Sequence, residues 1–425
     1  MRIALYLPGC FRSVIMHLSL AERWGGPPVG ADQAEAWIGA ASVGASLTIG
    51  SIRGIDVRVH PTFALLFLWV IYQWGIATSA GAAGIIFGTL VLLLVFACVL
   101  AHELAHAWVA HRYGLAVHDI TLLPIGGVAR VEYTALRPRE EAWIAAAGPA
   151  MNLAIAVALT PLVLLVAAIR HIDQPLAVVL YADEVSVAGF VLYLWITNIL
   201  LALFNLLPAF PMDGGRILRA GFSALCDRVV ATKVAVVVGQ LLAIVLVISG
   251  IWLGDYLLPL VALFILISAQ LEARWVQVEA TMRALPVGQF ALWEGGGIRP
   301  EAPLAHALRG GPKDIAVTQD GVVVGMLWRH ELLPLLSSGY QELLVKDLMD
   351  RSFNPVEATD SVYDVYLWLS SSTRPAVPVV ERGVYRGIFT SERLAHVHQH
   401  VNRKTIRLQY GVVLSFLARL RAVAR

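Results

Sequence analysis

The feature that most constrains this chain is an uncharged stretch from Pro61 to Ala101, which contains no Asp, Glu, Lys or Arg. A helix of about 20 apolar residues crosses a hydrocarbon layer, so this stretch is long enough to cross twice if it is broken once. Gly75 to Gly84 (GIATSAGAAG) provides such a break. Only 15% of all residues are charged, against about 25% in soluble proteins. The sequence therefore predicts an integral membrane protein.

Further uncharged runs predict the remaining spans, because each is close to the length that a tilted or slightly short helix needs. With the two spans above, they give six transmembrane helices and an α-helical polytopic fold. The runs are Ala145–Ile169, Val185–Met212, Val234–Gly254 and Tyr256–Leu271.

The basic residues predict the orientation, since Lys and Arg in short loops stay on the cytoplasmic side. Arginines and one lysine concentrate before span one, between spans two and three, between spans four and five, and after span six. We therefore expect a multi-pass protein of the inner or plasma membrane with both termini in the cytoplasm. The formal net charge of +2 is too small to indicate a nucleic-acid partner.

The motif HELAH, residues 102–106, lies at the end of the second predicted span. In a helix, His102 and His106 project from one face with their Cβ atoms about 6 Å apart, which lets both imidazoles bind one metal ion. Glu103 is then placed to accept a proton from a water on that metal. Ionisable groups inside a membrane span are costly, so a functional site is the default interpretation.

A catalytic zinc ion usually has three protein ligands, so the sequence must supply a third. Glu132, Glu140 and Glu141 are possible, but they accompany arginines and are interpreted as solvated loop charges. Asp213 is the better candidate, because it lies at the cytoplasmic end of span four, the membrane face where span two also ends. The glycines after it, Gly214 and Gly215, permit close backbone approach. The three cysteines have no metal-like spacing.

Two function classes fit these residues. One is a zinc endopeptidase that cleaves within or near a membrane span; the other is a divalent-cation transporter or sensor with a His/Asp metal site. The sequence favours the peptidase, because a transporter needs no carboxylate beside the metal that is not itself a ligand.

Three motifs occur in order with spans between them: HELAH at 102–106, AGPAMNL at 147–153 and NLLPAFPMDGGR at 205–216. Together they resemble the signatures of the site-2 proteases, the membrane-embedded zinc metalloproteases of regulated intramembrane proteolysis. The resemblance implies one zinc ion per chain on His102, His106 and Asp213, with Glu103 as the catalytic base. It also implies a single-span membrane protein as substrate, such as an anti-sigma-factor-like regulator.

Within this resemblance, Asn205 holds the scissile carbonyl or its oxyanion; without it, Asn205 is an amide that caps a helix end. Residues 121–133 (TLLPIGGVARVEY) resemble the family's membrane-associated strand segment, with an ordinary hairpin as the alternative. Helix packing is the favoured role for the motif around Gly148, and Asn152 ranks below Asn205 as a site residue.

The segment after Arg283 contains an internal repeat, in which Ile315–Leu332 matches Ala376–Leu394 at an offset of 62 residues. A β-turn-β-helix unit repeated in this way resembles a tandem cystathionine-β-synthase (CBS) domain pair, which implies an α/β tail able to form a homodimer and to bind adenosine nucleotide. Copy two keeps Thr390 but has Arg393 where a ribose-binding aspartate is expected. Copy one has Trp328 and Glu331 at these positions, so a structural or dimerising module is an equal alternative.

These patterns predict five segments. They are an N-terminal extension at residues 1–49, a transmembrane metalloprotease domain at 50–280, CBS-like copies at 285–344 and 345–401, and a basic C-terminal helix at 402–425, interpreted as lying on the lipid bilayer.

Overall fold

A computed structural model describes most of the chain, in nine ranges. They are residues 46–124, 126–131, 136–171, 178–182, 184–292, 296–307, 313–336, 343–372 and 374–402. The predicted N-terminal extension, apart from its last residues, and the basic C-terminal helix, apart from residue 402, lie outside these ranges. The described residues form two compact units, 46–273 and 274–402.

The first unit is mostly helical. Its helices are α1 (Pro61–Ala77), α2 (Gly81–Arg112), α3 (Pro138–Ile169), α4 (Val178–Tyr181), α5 (Val187–Asn205), α6 (Asp213–Ser223) and α7 (Arg228–Leu253), followed by α8 (Leu257–Ala284), which contains the unit boundary.

Five of these helices, α2, α3, α5, α7 and α8, are long and apolar enough to cross a membrane. The fold class predicted from the sequence, a polytopic helical membrane protein, is therefore confirmed. The first predicted span corresponds to α1, whose 17 residues are at the lower limit for crossing, about 17 residues. Within α1 the last seven residues, Ile71–Ala77, form a π-helix.

Aromatic packing joins α1 to α2. The ring centroids of Phe63 and Phe96 are 4.6 Å apart, and those of Trp74 and Phe87 are 5.0 Å apart. Gly84 permits this contact, because a Cβ there would overlap the backbone carbonyl of Trp74. The predicted break at Gly75–Gly84 thus contains the tight connection between the two helices, residues 78–80.

α3 is the central helix of this unit and packs against α2, α5 and α6. It begins after Arg137, whose backbone N–H donates to the carboxylate of Glu140 at 2.9 Å. This is the reciprocal half of a capping box. The arrangement brings the HELAH helix and the helix that begins at Asp213 to the same central partner.

A four-stranded sheet completes the first unit, with β1 (Leu47–Ile52), β2 (Ile55–Val59), β3 (Val117–Leu123) and β4 (Gly126–Val131) in that order. β2 and β3 are parallel, whereas β3 and β4 form an antiparallel hairpin that pairs Leu122 with Gly127. The described residues of the segment predicted to resemble the family strand, residues 121–133, lie in this hairpin, while residues 125, 132 and 133 lie outside the described ranges. β4 lies at the edge of the described sheet.

The second unit contains two α/β copies. The first has α9 (Leu304–Ala307), β5 (Ile315–Gln319), β6 (Val322–Leu327) and α10 (Arg329–Leu336). The second has α11 (Val345–Leu348), β7 (Val356–Glu357), α12 (Val362–Ser371), β8 (Ala376–Glu381), β9 (Val384–Thr390) and α13 (residues 391–402).

The hairpins β5–β6 and β8–β9 repeat each other in detail. Each turns through a non-glycine residue and then a glycine at positive φ: Asp320 and Gly321 in the first, Arg382 and Gly383 in the second. Each has a register shift, after Val317 and after Val379. Both features keep the offset of 62 residues, and the tandem α/β tail predicted from the sequence is confirmed.

Candidate metal centre

α2 places His102 and His106 one turn apart on the same face. Their Nε2 atoms are 3.0 Å apart, and the planes of the two rings meet at 82°. At this distance and angle, the two Nε2 atoms can both bind one metal ion that lies in front of the two rings. The spacing in the sequence therefore gives the predicted pair of metal donors.

Asp213 completes the group, because its Oδ2 lies 3.3 Å from Nε2 of His102 and 3.2 Å from Nε2 of His106. Asp213 is the first residue of α6 and comes after a connection that contains Pro208 and Pro211. Within the described part of the chain, these three residues are the one His/Cys/Asp/Glu group able to hold a metal ion.

Two glycines let the connection fold back onto the start of α6. A Cβ on Gly214 would overlap the carbonyl oxygens of Leu206 and Leu207, and a Cβ on Gly215 would lie 2.6 Å from the carbonyl carbon of Ala209. Only glycine fits at such positions. The close backbone approach expected at Gly214 and Gly215 is thus what brings Asp213 to the histidines.

The donor set fits zinc. Zinc binds imidazole nitrogens and carboxylate oxygens at about 2.0–2.1 Å in tetrahedral geometry, which separates neighbouring donors by about 3.3 Å. The three observed separations, 3.0, 3.2 and 3.3 Å, are close to one face of such a tetrahedron. Three protein donors leave the fourth position for water or substrate, as in catalytic sites.

The other ring nitrogen of each histidine is hydrogen-bonded. Nδ1 of His106 lies 2.6 Å from the carbonyl oxygen of Ile144, and Nδ1 of His102 lies 2.7 Å from Oδ1 of Asn152. A carbonyl oxygen only accepts, so the proton of His106 lies on Nδ1 and the lone pair of Nε2 faces Asp213. This is the tautomer that a histidine ligand needs.

Gly148 of α3 lies directly against the histidine rings. A Cβ at this position would overlap Nε2 of both His102 and His106. This motif was predicted to serve in helix packing. Its glycine also constrains the site, because the two histidine rings contact the backbone of α3 directly, with no side chain between them.

Glu103 faces β4. Its Cγ is 2.5 Å, and its Oε1 3.3 Å, from the position that a Cβ on Gly127 would occupy. The edge strand therefore passes next to the carboxylate expected to act as the base, and a side chain at residue 127 would displace it.

Asn205 is the last residue of α5, and its Nδ2 donates to the carbonyl oxygen of Leu201 at 2.9 Å. Leu201 lies four residues earlier on the same helix, so this contact is made within α5. Asn152, ranked lower from the sequence, has no exposed surface and contacts His102. Asn198, which the sequence analysis did not select, contacts Asn152 in turn. Both are isolated amides in uncharged runs, which is the signal that could have identified them.

The interpretation of Glu141 as a solvated loop charge is wrong. Glu141 is buried on α3 and pairs with the buried guanidinium of Arg219 on α6, whose Nε donates to Oε1 of Glu141 at 2.8 Å. Arg219 also binds Glu272 of α8. The charge is buried because α3 begins before the uncharged run does, so its first turns pack against α6. Glu140 pairs with the exposed Arg137, and Glu132 lies outside the described residues.

The residues at the positions expected to contact a nucleotide instead make contacts within the tail. Trp328 is fully buried, its Nε1 donates to Asp350 at 2.8 Å, and the guanidinium of Arg374 lies over its ring. Arg393 donates from its backbone N–H to Thr390 Oγ1 at 3.2 Å and from Nε to the carbonyl oxygen of Phe290 at 3.0 Å.

Comparison with known proteins identifies the family. The sequence profile of Peptidase family M50 matches residues 90–249. A zinc metalloprotease of Methanocaldococcus jannaschii is 31% identical over 356 residues, which cover 81% of this chain and 94% of that protein. The chain belongs to the M50 peptidases, the site-2 protease family.

Two further similar proteins each match part of the chain. Stage IV sporulation protein FB of Bacillus subtilis is 32% identical over 173 residues, covering 40% of this chain and 48% of that protein. A solved structure of the site-2 protease from Methanocaldococcus jannaschii is 34% identical and covers 54% of this chain and 95% of that one, with a TM-score of 0.38. The range of this chain that the M50 profile matches contains HELAH and Asp213.

Proposed function

We propose that this intramembrane zinc metalloprotease holds one zinc ion per chain on Nε2 of His102, Nε2 of His106 and Oδ2 of Asp213. The observation that carries the proposal is the triangle of these three atoms, with edges of 3.0–3.3 Å. Nδ1 of each histidine is hydrogen-bonded away from the triangle, which leaves Nε2 as the donor.

Zinc in such a site lowers the pKa of a water molecule to about 7 and polarises a carbonyl group. Glu103 is next to His102 on α2 but is not in the donor triangle, so its carboxylate is available to accept the proton of the attacking water. It then delivers a proton to the leaving amine. A metal-transport function gives no role to this carboxylate, and family membership also favours the peptidase.

Asn205 is proposed to donate to the oxyanion that forms at the scissile carbonyl. An amide NH2 group has two N–H donors, and the contact with Leu201 uses one of them. The second donor is the one that we assign to the substrate.

The substrate segment is proposed to pair with β4. A helical segment has its carbonyl groups in intrahelical hydrogen bonds, so a transmembrane substrate must unwind before a peptide bond can be attacked. An edge strand offers backbone donors and acceptors to an extended peptide, and Gly127 of β4 lies next to Glu103. We propose a single-span membrane protein, such as an anti-sigma-factor-like regulator, as the substrate.

The membrane orientation is proposed from the distribution of Arg and Lys. With α1 as the first of six spans, the segments before α1 and after α8 lie on the cytoplasmic side of the inner or plasma membrane. The metal centre then lies near the cytoplasmic face, where water can enter.

The domain division is proposed as a protease domain at residues 50–280 and CBS-like copies at 285–344 and 345–401. The matched turns and register shifts of the two hairpins support the division of the tail. We propose that the tail is a structural module, because Trp328, Thr390 and Arg393 make contacts within the tail. The proposal that it also forms a homodimer is based on the resemblance to a CBS domain pair.

The test uses the full chain in detergent or liposomes, with zinc content and cleavage of candidate single-span proteins as the two readouts. Asp213→Ala removes a ligand and should lose both. Glu103→Gln keeps the three ligands, so it should retain one zinc ion per chain while turnover falls by about 10²–10⁴ or more. Glu140→Gln, which changes the carboxylate that pairs with exposed Arg137, is the matched control and should keep both. Folded wild-type protein without zinc, or Glu103→Gln with wild-type turnover, would contradict the proposal.

A further inference from the structure

A chain of buried amides leads from the metal centre to α5. Oδ1 of Asn152 lies 2.7 Å from Nδ1 of His102, and Nδ2 of Asn152 donates to Oδ1 of Asn198 at 3.1 Å. Nδ2 of Asn198 donates to the carbonyl oxygen of Leu194 at 2.9 Å and to Sγ of Cys98 at 3.3 Å. Asn152 and Asn198 have no exposed surface.

The direction of every bond in this chain follows from its last member. The carbonyl oxygen of Leu194 can only accept, so the NH2 group of Asn198 must face it. Oδ1 of Asn198 is then on the opposite side and must accept from the NH2 group of Asn152. Oδ1 of Asn152 therefore faces His102 and accepts the proton of Nδ1, which leaves the lone pair of Nε2 directed at Asp213.

We propose that Asn198 is a positioning residue for the metal centre, which fixes the amide orientation of Asn152 and through it the tautomer and ring orientation of His102. The inference rests on the proposed zinc site. His106 reaches the same tautomer directly, because its Nδ1 contacts the carbonyl oxygen of Ile144. His102 contacts an amide that has two possible orientations, so its tautomer depends on Asn198.

A purely structural role for Asn198 makes a different prediction. If Asn198 only links α3 to α5, its loss should weaken zinc binding no more than the loss of another hydrogen bond between the same two helices. α3 and α5 have a second link of this kind, since Nε1 of Trp195 donates to Oγ1 of Thr160 at 3.2 Å. This bond joins the same two helices without reaching a histidine, so it provides a matched control.

The experiment measures the zinc dissociation constant of the purified full chain in detergent by competition with a chelator, together with the absorption spectrum of the cobalt-substituted protein. Asn198→Leu removes the acceptor of Asn152, so the Asn152 amide can turn its NH2 group towards His102. Loss of an outer contact to a ligand costs about 10–100-fold in metal affinity, and that is the expected effect. The cobalt spectrum should change as well, because one imidazole is reoriented.

A conservative variant of Asn198 should leave the metal site intact. Asn198→Asp keeps an oxygen that accepts from Asn152 and, when protonated, a donor for Leu194, so zinc affinity should stay within about threefold of wild type. Thr160→Val removes the other link between α3 and α5 and should also leave zinc affinity within about threefold.

A double-mutant cycle isolates the orientation effect. In Asn152→Asp both side-chain oxygens are acceptors, so His102 finds an acceptor whichever way the group turns. Asn198→Leu should then change zinc affinity by less than about threefold in this background. If Asn198→Leu does not fold, Asn198→Val takes its place, since valine is smaller and equally unable to accept a hydrogen bond.

Equal losses from Asn198→Leu in the two backgrounds, or a loss in Thr160→Val as large as that in Asn198→Leu, would overturn the inference. So would wild-type zinc affinity in Asn198→Leu. Wild-type protein that binds no zinc would instead refute the proposed function, so the two failures are distinguishable.

Discussion

The first unit (residues 46–273, the membrane unit) and the tail (residues 274–402) both bury apolar side chains, but nearly all the buried polar side chains lie in the membrane unit. In the membrane unit His102, Asn152, Asn198, Asp213 and Arg219 are buried, while many large apolar side chains are exposed. In the tail the buried side chains are mostly apolar, with Val287, Val377 and Phe389 at 0% exposure. The polar side chains of the membrane unit are shielded from lipid, and the apolar side chains of the tail are shielded from water.

This difference indicates what specifies the fold in each unit. Lipid is as apolar as leucine, so burial of apolar surface does not by itself favour one helix arrangement over another in the membrane unit. The arrangement is specified by close packing, by polar contacts and by backbone approach at glycines such as Gly84, Gly148 and Gly214. In the tail, burial of apolar surface is the main driving force, and the turn residues set the register of each hairpin.

The largest expected effect is that of Gly148→Ala in the membrane unit. The added Cβ overlaps the rings of His102 and His106, so one or both imidazoles must move. Displacements of about 1 Å can cost 10²-fold in rate, and we expect turnover to fall by at least that factor and zinc affinity to fall with it. Zinc titration and cleavage assays measure both.

Gly221→Ala is the matched control for this substitution. Gly221 is also helical, but a Cβ there meets no atom within 4 Å, so alanine should be neutral or stabilise the helix by about 0.5–1 kcal/mol. Wild-type zinc affinity in Gly148→Ala would show that backbone approach does not constrain the site.

A smaller effect on zinc binding is expected for Arg219→Met. The substitution leaves Glu141 buried without its partner, which costs about 3–5 kcal/mol. α6 begins at Asp213, so weaker packing of α6 should also weaken zinc binding. Thermal unfolding in detergent and zinc titration measure the two effects.

Arg137→Met provides the exposed counterpart, because Arg137 pairs with Glu140 at the surface. Exposed pairs contribute little to stability, because solvent and salt screen them. If Arg219→Met were no more destabilising than Arg137→Met, buried polar contacts would not be what holds α3 and α6 together.

The smallest effect is expected in the tail, for Gly383→Ala. Gly383 has φ of +79° and a Cβ there meets no atom within 4 Å, so the cost is backbone strain of about 1–2 kcal/mol. We expect hydrogen exchange of β8 and β9 amides to accelerate by about 5–30-fold, with zinc affinity unchanged. Gly383→Asn should lose less, since asparagine tolerates the left-handed conformation. Equal losses in Gly383→Ala and Gly383→Asn would show that turn strain is not the cause.

Much of the site could be predicted because it depends on local spacing. His102 and His106 lie on one face of any helix, and Gly214 and Gly215 directly follow Asp213, whose approach to the histidines they permit. The repeat in the tail keeps its offset of 62 residues. α1 was also expected, although its π-helical end was not, since no residue in Ile71–Ala77 indicates that geometry.

The remainder depends on how α3 is rotated against α5 and α6, which no local pattern encodes. Asn152 and Asn198 each look like isolated amides in apolar runs until the two helices are packed together. Glu141 stands among loop charges in the sequence, and only the packing of α6 buries it. The missed residues are those whose partners lie on another helix.

The position of β4 at the edge of its sheet has a consequence for substrate choice. Along an edge strand only every second residue of an added strand directs its N–H towards the sheet. A substrate paired with β4 should therefore tolerate proline at alternate positions and lose affinity for proline at the positions between them. A proline scan across a cleaved segment would then show a period of two residues, and its phase would report which peptide bond lies opposite Glu103.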